Sequence, residues 1–402
     1  MPPHPGAPSV FQLLRRPEPE PEPAHLVGLV WCLSYFDYCA VAHCRHSREP
    51  LLDTSAVPSH SIRQPGTVAT FSDLSTRSNL VQLPTMKVLV TGGAGFIGAN
   101  LVRTLSARPD IDDVVVIDNL SFGSRLNLEG LDITFIEGSI LDEDALATAM
   151  TGVSSVVHLA ARSSVPRSIT YPIAAHTDNA TGTALVLEAA RAQGGVQVIV
   201  ASSSSVYGAN DTLPKHEGLA ARPVSPYAAS KLATESYTLA WGHSYDMPVL
   251  ALRFFNVFGP LQPPLHTYAA VIPAFLSAAM QDQPLPVHGD GTQCRDFTYV
   301  DTVVAVIVDA IHRRVSHLEP LNLAFGKKIT LLEVISELEV ILDRDLAIEF
   351  QPLRMGDVAR SQADSSALRR LFPDVTPSNF VDGLRATADW FRLSRSWEDR
   401  ND

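Results

Sequence analysis

From residue 87 the chain sets short apolar runs against helix-length stretches of mixed polarity. "KVLVT" (87–91), "DVVVID" (113–118), "ITFIE" (133–137), "SVVHLA" (155–160) and "VQVIVAS" (196–202) read as continuous apolar strands. Between and beyond them, 96–107, 142–150, 176–193 and 226–245 have helix length. Strands buried on both faces and separated by helices predict a parallel sheet covered on both sides, the doubly wound α/β class. The alternation fades past about residue 255, where prolines cluster at 260–264 and 284–286. The pattern predicts a first domain over 86–254, a smaller α/β domain over 255–395 with short segments returning to the first, and a tail over 396–402.

Residues 1–85 break this pattern. "RRPEPEPEPAH" is a Pro/Glu repeat that cannot pack a core, and 53–85 are rich in Ser, Thr and Pro. The apolar "LVGLVWCLSYFDYCAVA" (26–42) carries Asp37 and is barely long enough to span a bilayer, and its acidic approach does not suit a secretory signal. The expectation is a disordered leader, with no membrane as partner. Apolar residues make up 46% of the 402, enough for a substantial core, and the net charge of −12 argues against nucleic acid as a partner. An anionic ligand stays open, because helix N-termini and a few arginines can hold phosphates locally. Of four cysteines only Cys294 lies past residue 85, and Cys39, His43, Cys44 and His46 fit no zinc spacing, so no metal is expected. A domain with no disulfide of its own suits a reducing cytoplasm.

Two stretches carry chemistry. "VTGGAGFIGAN" follows the first strand and opens a helix, with Gly92, Gly95 and Gly98 three residues apart. Glycine allows the tight turn and the close approach of backbone to a pyrophosphate, and the helix N-terminus offers unpaired N–H groups. Asp118 ends the second strand twenty residues past Gly98, where a carboxylate accepts from the adenine ribose hydroxyls and repels a 2′-phosphate. The dinucleotide expected is therefore NAD rather than NADP. "SPYAASK" sets Tyr227 and Lys231 four apart, on one face of a helix. A tyrosine titrates near ~10 unperturbed; a lysine ammonium and a positive nicotinamide ring would both favour the tyrosinate, a base tuned toward neutral pH.

With "TGGAGFIG", "DNLSFG", "HLAA", "NATGT", "SSSSVYG", "SPYAASK", "RFFNVFGP", "RDFTYVDT" and "RMGDVARSQAD", the chain from Met86 to about residue 395 resembles the extended short-chain dehydrogenase/reductases, and within them the UDP-sugar 4-epimerases. The resemblance implies a Rossmann-type sheet with a smaller C-terminal substrate domain, and a reversible oxidation at the sugar C4. Tyr227 is the implied base, Lys231 lowers its pKa and holds the nicotinamide ribose, and Ser203 bridges O4 and the tyrosinate. Related dehydratases carry an Asp-Glu pair before the Val-Tyr-Gly turn, and related glucuronate decarboxylases a glutamate. Here only Ser202, Ser203, Ser204 and Ser205 stand there, so elimination lacks its acid and base. Implied NAD contacts are Gly92, Gly95, Phe96, Ile97, Gly98, Asp118, Asn119, Ser139, Ile140, Leu159, Ala160, Ala161, Asn179, Tyr227, Lys231 and Phe254. Ser163 replaces a lysine often found near the NAD phosphates of glucose epimerases, and Ser139 replaces an acid near the adenine; both imply looser NAD binding.

On the sugar-nucleotide side the resemblance implies Asn256, Gln262, Arg295 and Arg354 at the diphosphate region, Ala270 and Val271 at the uracil, and Asp357 at the uridine ribose. Ser163, Ser164, Ser203, Ser204 and Tyr227 are implied around the sugar. "RSSVPRS" (162–168) is similar to a segment of bacterial epimerases acting on UDP-N-acetylhexosamines. Ser361 falls where strict UDP-glucose epimerases have a tyrosine, leaving room for a 2-acetamido group. The expectation is use of both UDP-glucose and UDP-GlcNAc. Two alternatives stay open: a UDP-glucuronate epimerase or decarboxylase, with Arg162 and Arg167 at the carboxylate, and a non-catalytic NAD-binding sensor. A homodimer through a helix bundle including 226–245 is the family expectation.

Overall fold

The computed structural model describes residues 86–264, 270–325, 327–352 and 361–395. The readings made for residues 1–85 and the roles expected of Arg354 and Asp357 lie outside the described residues. The first half of the described chain runs β1 (Met86–Thr91), α1 (Phe96–Ser106), β2 (Ile111–Asp118), β3 (Thr134–Glu137), α2 (Glu143–Met150) and β4 (Ser155–His158). It continues with α3 (Val165–Thr170), α4 (Pro172–His176), α5 (Gly182–Gln193), β5 (Gln197–Ser203), α6 (Pro226–Tyr245), β6 (Val249–Phe254) and β7 (Val257–Phe258). Then come α7 (Val271–Met280), β8 (Leu285–His288), β9 (Cys294–Arg295), β10 (Thr298–Tyr299), α8 (Val300–His312) and β11 (Leu321–Leu323). The last elements are β12 (Ile329–Thr330), α9 (Leu331–Leu342), β13 (Ile348–Gln351), α10 (Ser366–Leu371) and α11 (Phe380–Ser394).

Seven strands form one parallel sheet in the order β11-β6-β5-β4-β1-β2-β3, as the continuous apolar runs require. The chain enters at β1, steps outward through β2 and β3, then crosses back to β4 on the other side of β1. That reversal splays the connections after β1 and β4 apart and opens a crevice at the carboxyl ends of the strands. α1 and α8 pack on one face around Val88, Val90, Leu101, Val303 and Ile307. α2 and α5 pack on the other around Leu89, Ile117, Leu146, Val186 and Leu187. Both sheet faces are thus covered, in a Rossmann-like architecture.

The sequence past Phe254 feeds two cores. α8 and β11 join the main sheet, β11 pairing with β6, whereas α7, β8, α9 and α11 surround a second core of Phe275, Leu276, Val287, Leu338, Leu384 and Phe391. The helix expected over 176–193 is interrupted. Residues 177–181 form a turn of π-helix between α4 and α5, and Asn179 there is buried with its side chain tied to Arg162 and Ser230. Among the described residues no helix is long and apolar enough to cross a membrane.

Candidate active site

The crevice holds a cavity of about 810 Å³. Its floor at one end is the glycine turn between β1 and α1. Gly92 has φ 71°, and a Cβ there would meet the Ala160 nitrogen at 2.6 Å. A Cβ on Gly98 would lie 2.2 Å from the Gly92 carbonyl oxygen. The protein itself therefore demands glycine at both. Gly95 differs, since an added Cβ would come close only to the Gly92 oxygen, at 3.3 Å. Gly95 is the N-cap of α1 with no side-chain cap, so the first N–H groups of the helix are left for a ligand. Asp118 is buried and held by two backbone donors, Ala94 N–H at 2.9 Å and Leu120 N–H at 2.8 Å. Its remaining lone pairs are aimed by that clamp. This cradle fits a dinucleotide: a vacant glycine side at the helix N-terminus and a fixed carboxylate one strand away.

Asn119, Ser139, Ile140, Leu159, Ala160, Ala161 and Phe254 line the same cavity, with Phe96 and Ile97. Asn179 is not among the residues that line it. It was expected to touch the cofactor, but its amide accepts from Arg162 N–H at 2.7 Å and donates to the Arg162 carbonyl and to Ser230 Oγ. It braces the loop after β4 from behind the cavity wall.

The carboxyl end of β5 and the start of α6 supply the reactive groups. Ser225 caps α6 by accepting from Ala228 N–H, and Pro226 stands in the first turn, where it costs no hydrogen bond. Tyr227 and Lys231 then share one face, a turn apart. The Tyr227 N–H is anchored on Ser168 Oγ at 3.0 Å, so the "SVPRS" segment sets where α6 begins. Alternation along β5 separates the serines. Ser202 is buried and donates to Glu235 Oε2 at 2.7 Å, whereas Ser203 opens onto the cavity, accepts from Ser205 N–H and sets its hydroxyl where it lowers the pKa of the Tyr227 phenol. Ser202 is thus a structural anchor and Ser203 the hydroxyl beside the base.

The expectation that Tyr227 is poised as tyrosinate is not met by the protein alone. Tyr227 opens onto the cavity, yet the groups packed round it push its phenol upward by burial, and the Ser203 hydroxyl opposes this. Burial pushes Lys231 down to about 8. His158, buried between Thr91 Oγ1 at 2.7 Å and Thr183 Oγ1 at 3.0 Å, is held neutral with a pKa of about 3, chiefly by burial and then by the Lys231 charge. A nearby positive charge from a ligand is what would bring the tyrosine toward its base form.

Ser163, Ser164, Ser204, Asn256, Gln262, Ala270, Arg295 and Ser361 also line the cavity. Val271, at the start of α7, is not among the lining residues. Asn256 adopts φ 31°, in the left-handed region that Asn tolerates, with its amide on the Asp296 carbonyl. Gln262 donates to the Val257 carbonyl, and its buried Oε1 has no partner. Ser361 donates its N–H to the Cys294 carbonyl and lines the cavity. Several wall residues were not legible in advance. Lys215 is buried at the cavity, donates to the Asn210 carbonyl and is pushed down by burial; "LPKHE" holds no signal for this. Phe122 and Asp178 also line the cavity, and of these only Phe122 fell within a recognised motif.

A family model described as the NAD dependent epimerase/dehydratase family matches residues 88–324. The chain belongs to this NAD-dependent epimerase/dehydratase family. It is accordingly an enzyme of the extended short-chain dehydrogenase/reductase type, and NAD is its cofactor. A UDP-glucose 4-epimerase of Mycolicibacterium smegmatis is 34% identical over 313 residues, covering 76% of this chain and 99% of that protein. The solved UDP-N-acetylglucosamine 4-epimerase of Methanobrevibacter ruminantium, in complex with UDP-N-acetylmuramic acid, superposes with a TM-score of 0.73 at 35% identity, covering 77% of this chain and 99% of that one. The UDP-glucuronic acid 4-epimerase of Bacillus cereus, solved with UDP-glucuronic acid and NAD, gives 0.71 at 30% identity, covering 77% and 100%. The chain spans about half of the plant trifunctional dehydratases it also matches, 48% of the Arabidopsis thaliana protein at 29% identity and over 77% of this chain. Members of the family thus differ in their sugar and in their final step, and the cavity of this chain has to be read for both.

Proposed function

We propose that this chain is a UDP-sugar 4-epimerase that interconverts UDP-glucose with UDP-galactose and UDP-GlcNAc with UDP-GalNAc through a transient 4-keto sugar. One observation carries the reading. Ser203, a hydroxyl that shares the cavity with Tyr227 and lowers its pKa, stands beside the base where elimination of water needs an acid pair. The carboxylates among the described lining residues are Asp118, clamped after β2, and Asp178, ion-paired to Arg162 at 2.7 Å. Bound NAD supplies the hydride acceptor and later donor at C4. Tyr227 takes the O4 proton as the C4–H bond breaks, and Ser203 holds O4 in line with the phenol. Tyr227 returns the proton when the keto group is reduced from its other face, so no net oxidation remains. Lys231 keeps a cation one helical turn from the developing phenolate. Arg295, Asn256 and Gln262 hold the nucleotide end, the free Gln262 Oε1 as an acceptor.

The test is incubation of the full chain with UDP-GlcNAc and, separately, UDP-glucose, with no cofactor added, following the anomeric protons by NMR. Both C4 epimers are expected. Turnover of UDP-glucuronate alone would overturn the reading. Ser361 has a small side chain at the cavity, so Ser361→Tyr is expected to cut UDP-GlcNAc turnover at least about tenfold relative to UDP-glucose, since filling a pocket excludes the larger substrate first. An unchanged ratio would remove Ser361 as the gate. We place the enzyme in the cytoplasm as a homodimer. The dimer is supported by large side chains left exposed on α3, α4, the residue between them and α6: Ile169, Tyr171, Ile173 at 75%, Tyr237 and Tyr245. Light scattering on the full chain would show twice the chain mass.

A further inference from the structure

Two loops meet above the glycine turn. β1 lies between β2 and β4 in the sheet, so the connections after β2 and after β4 rise on opposite sides of the turn that follows β1. The loop after β2 carries Phe122, and the segment after β4 carries Arg162 and Arg167. The Arg162 guanidinium carbon lies 5.2 Å from the centre of the Phe122 ring, and that of Arg167 lies 4.7 Å from it. The stack therefore crosses the crevice over the carboxyl end of β1. All three side chains line the cavity together with Gly95, Phe96, Asp118 and Asn119.

The two arginines are not equivalent. Arg162 is already neutralised, its Nε donating to Asp178 Oδ2 at 2.7 Å, and its backbone N–H is fixed on Asn179 Oδ1. Arg167 has no carboxylate or hydrogen-bond partner for its guanidinium among the described residues; its contact is the Phe122 ring. It is half-buried and held in place locally, since its own N–H donates to Ser164 Oγ at the start of α3. Phe122 is 39% exposed, a large apolar side chain left at the cavity mouth. An unpaired guanidinium with an open planar fork, lining the same cavity as the uncapped helix N–H groups, matches a phosphate diester, because the fork can donate two parallel hydrogen bonds while its face stays on the ring.

We propose that Phe122, Arg162 and Arg167 form a clasp across the bound dinucleotide, in which Arg167 pairs with a phosphate of NAD and the stack on Phe122 has to open before NAD can leave. Arg162 is the fixed half of this clasp and Arg167 the half that engages the ligand. The clasp provides retention that the hydroxyls of Ser139 and Ser163 do not. It also ties cofactor to base, because Ser168, the residue after Arg167, accepts the Tyr227 N–H. The proposal rests on NAD binding and not on which sugar is turned over.

The experiment measures NAD itself. The full chain and its Arg167→Ala, Arg167→Lys and Phe122→Leu variants are titrated with NAD by calorimetry, and release is timed by exchange of bound NAD against labelled NAD. Arg167→Ala is expected to weaken NAD at least about tenfold and to flatten the salt dependence of binding, as the loss of one cation–phosphate pair requires. Phe122→Leu is expected to speed release by about as much while leaving the salt dependence in place. Arg167→Lys, which keeps charge without the planar fork, should fall between wild type and Arg167→Ala. Arg125→Ala is the control: Arg125 stacks on Phe135 at 4.6 Å and is not among the cavity-lining residues, so its NAD binding should match wild type. Wild-type NAD affinity and release in both the Arg167 and the Phe122 variants would overturn the clasp. So would normal NAD binding with a raised KM for UDP-glucuronate in Arg167→Ala, which would give the arginine to the sugar instead.

Discussion

Tyr227→Phe is expected to lower kcat by about 10²–10⁴-fold with little change in KM, the range that a positioned acid–base group contributes. Tyr227 opens onto the cavity with Ser203 and stands at the start of the helix that carries Lys231 one turn on. Removing only its oxygen leaves the packing of the ring intact. The same pair sets the pH dependence. Burial holds the phenol above its ordinary value and pushes Lys231 down to about 8, so at neutral pH the free enzyme has both groups protonated. Chemistry needs one proton fewer, with the negative charge on the phenol and the positive charge on the amine. In the free protein the first proton to leave is that of Lys231, near 8; at that proton count the positive charge of bound NAD favours phenolate with ammonium over neutral phenol with neutral amine. Activity measured as kcat/KM should therefore rise with pH through about 8, and fall again only when the second proton leaves at higher pH. Full activity in Tyr227→Phe, or a flat profile between pH 6 and 9, would remove the tyrosine from its role.

Arg253→Leu is expected to destabilise the fold by about 3–5 kcal/mol, because breaking a buried ion pair strands the remaining charge. Arg253 donates to both oxygens of Glu235, at 2.9 Å to Oε2 and 2.6 Å to Oε1, and each side chain is only 4% exposed. The guanidinium also lies 4.7 Å from the centre of the Tyr207 ring, whose hydroxyl donates to Asn322 Oδ1. With Arg253 gone, the Glu235 carboxylate keeps only the Ser202 hydroxyl as a partner among its described hydrogen bonds. Urea unfolding of the full chain, followed by circular dichroism, gives the loss directly. A double Arg253→Leu/Glu235→Leu variant should recover most of it, since neither charge is then left buried. A loss below about 1 kcal/mol in the single variant would show that the pair is solvated in solution. Activity should fall with stability, because Ser202 ties the end of β5 to Glu235 and Ser203 is the next residue along that strand.

Part of this protein is written locally in its sequence. The continuous apolar strands determine a covered parallel sheet, because a strand buried on both faces has no polar alternation to show. Gly92, Gly95 and Gly98 between strand and helix determine the phosphate turn, since two of them have no room for a Cβ and the third leaves the helix N-terminus open. Ser225, Pro226, Tyr227 and Lys231 determine a helix start that puts base and cation on one face, and α6 begins and ends where its pattern does, at Pro226 and Tyr245. Each of these depends on residues within a turn or two of one another.

Tertiary structure alone decided the rest. No local pattern tells Ser202 from Ser203; the first is tied to Glu235, thirty-three positions on, and the second meets Tyr227. Asn179 reads as a cofactor contact in its motif, but a π-turn points its amide at Arg162 and Ser230. Phe122, Arg162 and Arg167 come together only because the sheet places β2 and β4 on either side of β1. The motif suggests a tyrosine lowered by the cation beside it, yet in the protein alone burial pushes the phenol up and Ser203 is what opposes it, and burial is a property of everything that packs around the phenol rather than of its neighbours in the chain.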